Sequence, residues 1–325
     1  MIDAAIVGLG RWGKGHVQSI QGKSARLRFT RGVDTAPEGL REFAALHAFE
    51  LCSDLAQALA DPAVHAVVLV TPHSLHREQV IASARAGKHV FCEKPLALNK
   101  ADAVSMLEAC RSAGVVLGLG HNRRMWPSMQ ELKRVIASGT LGEILHIEGH
   151  FSNEHSNNAG GTWRDSPAES PGGGMTGAGL HILDAFMNLI GPVRRVRGQL
   201  LVRKPPPAPV DTAAVIVEFV NGVSGIIATV RATPAYWRVH VFGSRGSIEA
   251  IGEHELVLRV SGAQPERRVL QPVDTLLQEM EAFADAIEGR APFPIPASQM
   301  LDTVAAFEAI IKALETGDTV RLDAQ

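Results

Sequence analysis

The spacing of apolar residues changes character once along the chain. Over the first 120 residues, short strand-like runs, most of them wholly apolar, alternate with longer stretches at helical spacing. The runs are Ala4-Ala5-Ile6-Val7, residues 27–33, Ala66-Val67-Val68-Leu69-Val70, Val90-Phe91-Cys92 and residues 115–119. Runs that are apolar on both faces belong to strands buried inside a parallel sheet. Helical spacing occupies the stretch from Gly13 to about residue 20, then residues 41–48, 54–60, 75–86 and 101–113. Asn99 stands at the N-cap of the last of these, with Asp102 three residues on. With residues 115–119 closing the alternation, the pattern predicts an α/β domain with a doubly wound parallel sheet.

Past Gly120 the rhythm is different. A helix over 129–138 leads to a strand over 143–151, followed by a Ser-, Asn-, Gly- and Pro-rich stretch over 152–174. A loop of that length inside a compact domain is usually functional or disordered, and Trp163 and Arg164 within it favour a docked loop. A helix over 175–190 carries His181 and Asp184 and stops at Gly191-Pro192. Strands are then expected over 193–202, 213–220, 223–232, 238–242, 246–251 and 256–260. Asn221-Gly222 is a hairpin signal, so this second sheet should be mostly antiparallel. Pro205-Pro206-Pro207-Ala208-Pro209 reads as a stiff connector. Helices over 275–288 and 298–315 end the chain. The expected domains are 1–120, the doubly wound α/β fold, and 121–325, an α+β domain whose last helix packs back on the first.

Composition narrows the function. The 325 residues are 46% apolar and 20% charged, which is ordinary for a globular protein of two domains. A net charge of −2 and the lack of any long Lys/Arg run argue against nucleic-acid or acidic-membrane partners. Cys52, Cys92 and Cys110 lack metal-ligand spacing and read as reduced thiols. With no basic leader and no long apolar span, the expectation is a cytoplasmic protein acting on a small molecule, with no metal.

The candidate chemistry sits where strands end. Gly8-Leu9-Gly10-Arg11-Trp12-Gly13 follows the first strand and opens a helix. In that context Gly8 allows the tight turn, Gly10 lets a pyrophosphate approach, and Gly13 permits close packing of helix and strand. The helix N-terminus then faces the phosphates. Asp34 ends the second strand, 21 residues past Gly13, where a carboxylate accepts bonds from an adenosine ribose. Thr35 and Ala36 supply no cation for a 2′-phosphate, which favours NAD, while Arg11 and Arg31 keep NADP possible. Thr71-Pro72-His73 and Glu93-Lys94-Pro95 end two further strands, at the edge where ligands bind open parallel sheets. His73 lies near the expected nicotinamide end; His76 is read as a packing or capping histidine.

Taken together, these segments resemble the Gfo/Idh/MocA family of NAD(P)-dependent oxidoreductases, named for glucose–fructose oxidoreductase and inositol dehydrogenase. The resemblance runs the full length. It rests on Gly8-x-Gly10-x-x-Gly13, on Ala86-Gly87-Lys88-His89-Val90-x-Cys92-Glu93-Lys94-Pro95, and on His121-Asn122-Arg123-Arg124. Gly172-Gly173-Gly174 and Gly179-x-His181-x-x-Asp184 complete it. It implies a Rossmann domain and a second domain whose open sheet serves oligomer contacts, in a homodimer or homotetramer. It also implies that Lys94 and His181 face the nicotinamide and assist proton transfer, on a sugar, polyol or related cyclic alcohol or ketone. Glu93 and Asn122 join the cofactor contacts, and Arg123, Asn153, His155, Trp163, Arg164 and Thr176 are candidate substrate contacts. Asp184 is expected to be structural. One position departs from the pattern: polyol-oxidising members carry an Asp four residues before the histidine, and here it is Gly177. Two alternatives follow from the same resemblance, an NAD-dependent glycosidase and a non-catalytic NAD(P)-binding sensor.

Overall fold

The apolar runs of the first 120 residues become strands of one parallel sheet. These are β1 (Ile2–Val7), β2 (Leu27–Val33), β4 (Ala66–Leu69), β5 (His89–Glu93) and β6 (Leu117–Gly120). The sixth, β3 (Glu50–Cys52), lies outside the apolar runs. It pairs through only three residues beside β2, with Glu50 exposed, so an edge place left it little apolar signature. The order is β3-β2-β1-β4-β5-β6, with the reversal at β1 and β4 that marks a doubly wound sheet. The computed structural model describes residues 1–153, 162–206 and 209–322.

Two compact units divide the chain. The first comprises residues 1–122 and 274–301, the second 123–273 and 302–325. In the first unit, Ile6, Phe29, Val68 and Phe91 on the strands pack with Val17 and Ile20 of helix α1 (Arg11–Ile20). Met280, Phe283 and Ala284 join that core from a helix near the end of the chain, Thr275–Ile287. Between these lie α2 (Arg41–Leu46), α3 (Leu55–Ala60), α4 (His76–Arg85) and α5 (Lys100–Ala113). The Asn99 side chain caps α5, accepting from the Asp102 amide at 2.9 Å, and Gly114 ends it with φ +67°.

In the second unit the sheet is mostly antiparallel, as expected, with one parallel pair. Its strands are β7 (Ile144–Asn153), β8 (Val193–Lys204), β9 (Val210–Phe219), β10 (Ser224–Arg231), β11 (Tyr236–Gly243), β12 (Gly246–Ile251) and β13 (Glu255–Val260). Short β14 (Glu266–Val269) and β15 (Val320–Arg321) complete the order β14-β13-β12-β11-β7-β10-β9-β8-β15. The central pair β7 and β10 is parallel and the rest antiparallel. Helices α6 (Pro127–Ala137), α7 (Leu180–Leu189), α8 (Thr275–Ile287, in the first unit) and α9 (Ala297–Thr316) complete the set. Helix α7 covers one sheet face. A side chain at Gly149 would overlap Ile182 and Phe186, so glycine on β7 lets the helix approach. The opposite face exposes Ile216, Ile226 and Tyr236. The helix expected over 175–190 begins as a π-helical turn, Met175–Gly179, before α7 proper. No helix among the described residues is long and apolar enough to cross a membrane.

Candidate active site

The carboxyl edge of the six-stranded sheet gathers the first set of residues. Gly8 has φ +90°, and a Cβ there would collide with the Val70 carbonyl beyond β4. A Cβ on Gly13 would strike the Gly8 carbonyl oxygen, whereas one on Gly10 would meet open space. Gly10 thus leaves backbone accessible at the start of α1, a helix whose N-terminus has no side-chain cap. Asp34 stands beside this loop: its Oδ2 accepts from the Leu9 amide at 2.8 Å and its Oδ1 from the Ala36 amide at 3.1 Å. Each carboxylate oxygen keeps a second acceptor site for a ribose hydroxyl. Arg31 is engaged elsewhere, with Glu50 at 3.0 Å and Asp61 at 2.7 Å.

Two turns further along the same edge are tied together. His76 is fully buried, with Nδ1 2.8 Å from the Pro95 carbonyl and Nε2 3.1 Å from the Thr71 carbonyl. A neutral ring donates to one of these and an imidazolium to both. Either way His76 braces Thr71-Pro72-His73 against Glu93-Lys94-Pro95, where the Lys94–Pro95 bond is cis. At the opposite end of β5, Lys88 is buried and donates to the carbonyls of Asp61 (2.8 Å) and Val64 (2.7 Å). Lys88 of the motif is therefore spent on main-chain carbonyls. Asn122 donates from its amide to Thr275 Oγ1 at 3.1 Å.

Glu93 is buried at this edge. Oε1 accepts from the Trp12 indole (2.7 Å) and lies 2.9 Å from His16 Nε2, while Oε2 accepts from the Lys94 amide (3.2 Å). Burial pushes its carboxyl up, but the bond to His16, the His16 charge, Trp12 and the Lys94 charge outweigh burial and hold it below the ordinary value. A side chain at Gly120 would occupy the carboxylate's place. His16 was not singled out in the sequence, because a lone histidine on the apolar side of a helix carries no signature.

The second unit builds around His181, in the first turn of α7. Three residues on, Asp184 is buried and bound by Arg124, with Nε at 3.0 and 2.9 Å from the two carboxylate oxygens and Nη2 at 2.6 Å. Neighbouring Arg123 lies among three rings, its guanidinium 4.0 Å from the centre of Phe151, 4.6 Å from Trp126 and 4.7 Å from Trp237. Burial lowers its pKa to about 9, so it is cationic at neutral pH. Phe151 also meets His181 edge-on at 6.0 Å. Arg123, Arg124, His181, Asp184 and Trp237 line one small cavity.

The approach to His181 is pinned by Asp211, which sequence reading missed. Gly172 and Gly173 have φ +67° and +58°, and side chains at Gly173 and Gly174 would run into Asp211. Asp211 is buried; it accepts from the Gly174 amide at 3.0 Å and pairs with Arg231 Nε at 3.1 Å. Thr176 is buried as well and donates its hydroxyl to the Pro171 carbonyl. Gly177 is exposed, and a Cβ there would meet nothing within 4 Å. Trp163 and Arg164 share a short 3₁₀ turn, with the guanidinium 4.1 Å from the ring centre. Asn153 ends β7. His155 lies outside the described residues.

Comparison with known proteins agrees with this anatomy. Residues 2–121 match the oxidoreductase family with an NAD-binding Rossmann fold, and residues 129–249 match the Gfo/Idh/MocA C-terminal domain. Myo-inositol 2-dehydrogenase of Thermotoga maritima is 31% identical, over 98% of each chain. Among solved structures, one described as a candidate NADPH-dependent oxidoreductase from Desulfitobacterium hafniense superposes with a TM-score of 0.89 at 25% identity. That match spans 98% of this chain and 97% of the other. Levoglucosan dehydrogenase, in complex with NADH and levoglucosan, gives 0.88 at 24% identity over 98% and 99%. The chain belongs to the Gfo/Idh/MocA family of oxidoreductases, with an NAD-binding Rossmann fold as its first domain.

Proposed function

We propose that this protein is a dehydrogenase that moves a hydride between NAD and a CH–OH or ketone carbon of a sugar or polyol. The observation that carries the reading is the shared edge. The Gly8–Gly13 loop, Asp34 and the Glu93-Lys94-Pro95 turn all stand at the carboxyl ends of strands in one parallel sheet, where β1, β4 and β5 are neighbours. A dinucleotide laid from Asp34 across the Gly10 backbone would reach towards Thr71, Pro72 and His73 and then Lys94. Relatives named as inositol and levoglucosan dehydrogenases support the substrate class.

NAD, when bound, supplies the hydride acceptor; the protein manages the proton and the charge. His181 in its neutral form accepts the hydroxyl proton, since an imidazole titrates near neutrality. Lys94, as a cation, stabilises the alkoxide that develops as the hydride leaves. Arg123, Trp163 and Arg164 are proposed to hold the substrate's other hydroxyls. Asp34 accepts from the adenosine ribose, and with Arg31 held by Glu50 and Asp61, Arg11 is the cation left near a 2′-phosphate. This favours NAD over NADP. The exposed Ile216, Ile226 and Tyr236 support self-association through the second sheet.

The test is a screen of inositols, anhydrosugars and aldoses for NAD reduction followed at 340 nm. Turnover of at least one polyol is expected. A protein that binds NADH but reduces NAD with none of them, while cleaving a glycoside, would replace this reading with the glycosidase.

A further inference from the structure

Trp12 and His16 stand on successive turns of α1 and both reach Glu93 Oε1, at 2.7 and 2.9 Å. An ionised carboxylate only accepts, so the His16 nitrogen facing it must carry the proton. His16 is fully buried, and its other ring nitrogen, Nδ1, is buried without a hydrogen-bond partner. The Glu93 contact is thus the polar bond that sets the ring's orientation. The other carboxylate oxygen receives the backbone N–H of Lys94 at 3.2 Å. Gly120 at the end of β6 leaves the space that the carboxylate fills. A continuous chain of bonds therefore runs from helix α1, through Glu93, to the main chain at Lys94.

We propose that His16 is a positioning residue for Lys94. Its Nε2–H fixes the Glu93 carboxylate, and Glu93 fixes the backbone from which the Lys94 ammonium is presented. The proposal rests on the reading of Lys94 given above and adds to it a residue outside the cofactor and substrate contacts. A histidine kept only for packing would be replaceable by any side chain of similar volume. A positioning histidine is replaceable only by one that returns a donor to the same point.

Glutamine and asparagine separate these cases. The glutamine amide nitrogen falls near the place of Nε2, whereas that of asparagine falls near Nδ1, short of Glu93. His16→Gln should keep kcat within about threefold of wild type, and His16→Asn should lose about tenfold, with NADH affinity and melting temperature similar in the two variants. The same pair is then made in a Lys94→Met background. There the difference between glutamine and asparagine should vanish, because groups acting as one unit are not additive. If asparagine costs the same tenfold without Lys94, or if glutamine is as impaired as asparagine, the proposal is overturned while the role of Lys94 stands. If Lys94→Met alone turns over normally, the reading of Lys94 fails first, and the proposal falls with it.

Discussion

The two units hold their proposed reactive side chains in opposite ways. Lys94 follows directly on a strand of a parallel sheet, and its turn is set largely by main-chain geometry: β5 ends, Pro95 follows, and His76 bonds two carbonyls. His181 rides on a helix that packs on the sheet through Ile182 and Phe186 and is tied further by charge. Arg124 grips Asp184 one turn further along α7, and Asp211 with Arg231 pins the glycine turn before it. A site fixed by backbone ladders tolerates loss of most single side chains. A site fixed by buried ion pairs fails when one partner goes, because the other charge is left in a poor solvent.

The largest expected effect breaks the second arrangement. Arg124→Met removes the cation that binds the buried Asp184, and should destabilise the protein by about 3–5 kcal/mol. Removing both charges, in Arg124→Met with Asp184→Leu, should recover most of that loss. Urea unfolding of the single and paired variants checks this; a single variant as stable as wild type would show that the pair holds nothing.

Lys94→Met should leave stability nearly unchanged and act on chemistry instead. Turnover is expected to fall on the order of 100-fold, with NADH affinity within about twofold. The same kind of substitution thus destabilises one site and silences the other. A variant with near-normal kcat would return Lys94 to an ordinary surface lysine.

The first unit was readable because its determinants are local. Most strands are apolar on both faces, Gly8 and Gly13 each have a steric reason nearby, and Asp34 falls at the right interval beside Leu9. Only β3 escaped, being three residues at an edge, and so did the return of helix Thr275–Ile287 to this core, since its apolar stripe does not name its partner. In the second unit the antiparallel strands were visible through alternation. The parallel pairing of β7 with β10 was not, because pairing of strands more than 70 residues apart leaves no local trace. Asp211 and His16 were illegible for a related reason. Each acts through a partner distant in sequence, Gly174 in one case and Glu93 in the other.

Cofactor choice sharpens the reading of the first unit. A 2′-phosphate placed near the Asp34 carboxylate would be repelled, with Arg31 held away by two acids. NADH should therefore bind at least about tenfold more tightly than NADPH, a difference of ~1.4 kcal/mol. Fluorescence titration of both cofactors measures it, and equal affinities would mean that Arg11 reaches the phosphate.

The smallest effect concerns Gly177, four residues before His181. A Cβ there meets open space, so Gly177→Asp should fold without rearrangement. Gly177 lies in the π-helical turn that runs into α7, about one turn before His181, which brings the new carboxylate towards the imidazole. A negative charge favours the imidazolium, whereas proton abstraction needs the neutral ring. The acidic limb of kcat/KM for alcohol oxidation should therefore move upward in Gly177→Asp. For a solvent-exposed pair worth about 0.4 kcal/mol, the displacement is about 0.3 pH unit. His181→Asn should lose that limb together with most of the activity. A limb that stays put in Gly177→Asp but vanishes in His181→Asn would place the new carboxylate out of reach of the ring. If His181→Asn keeps both activity and limb, the base lies elsewhere, with His155 and Thr176 the next residues to replace.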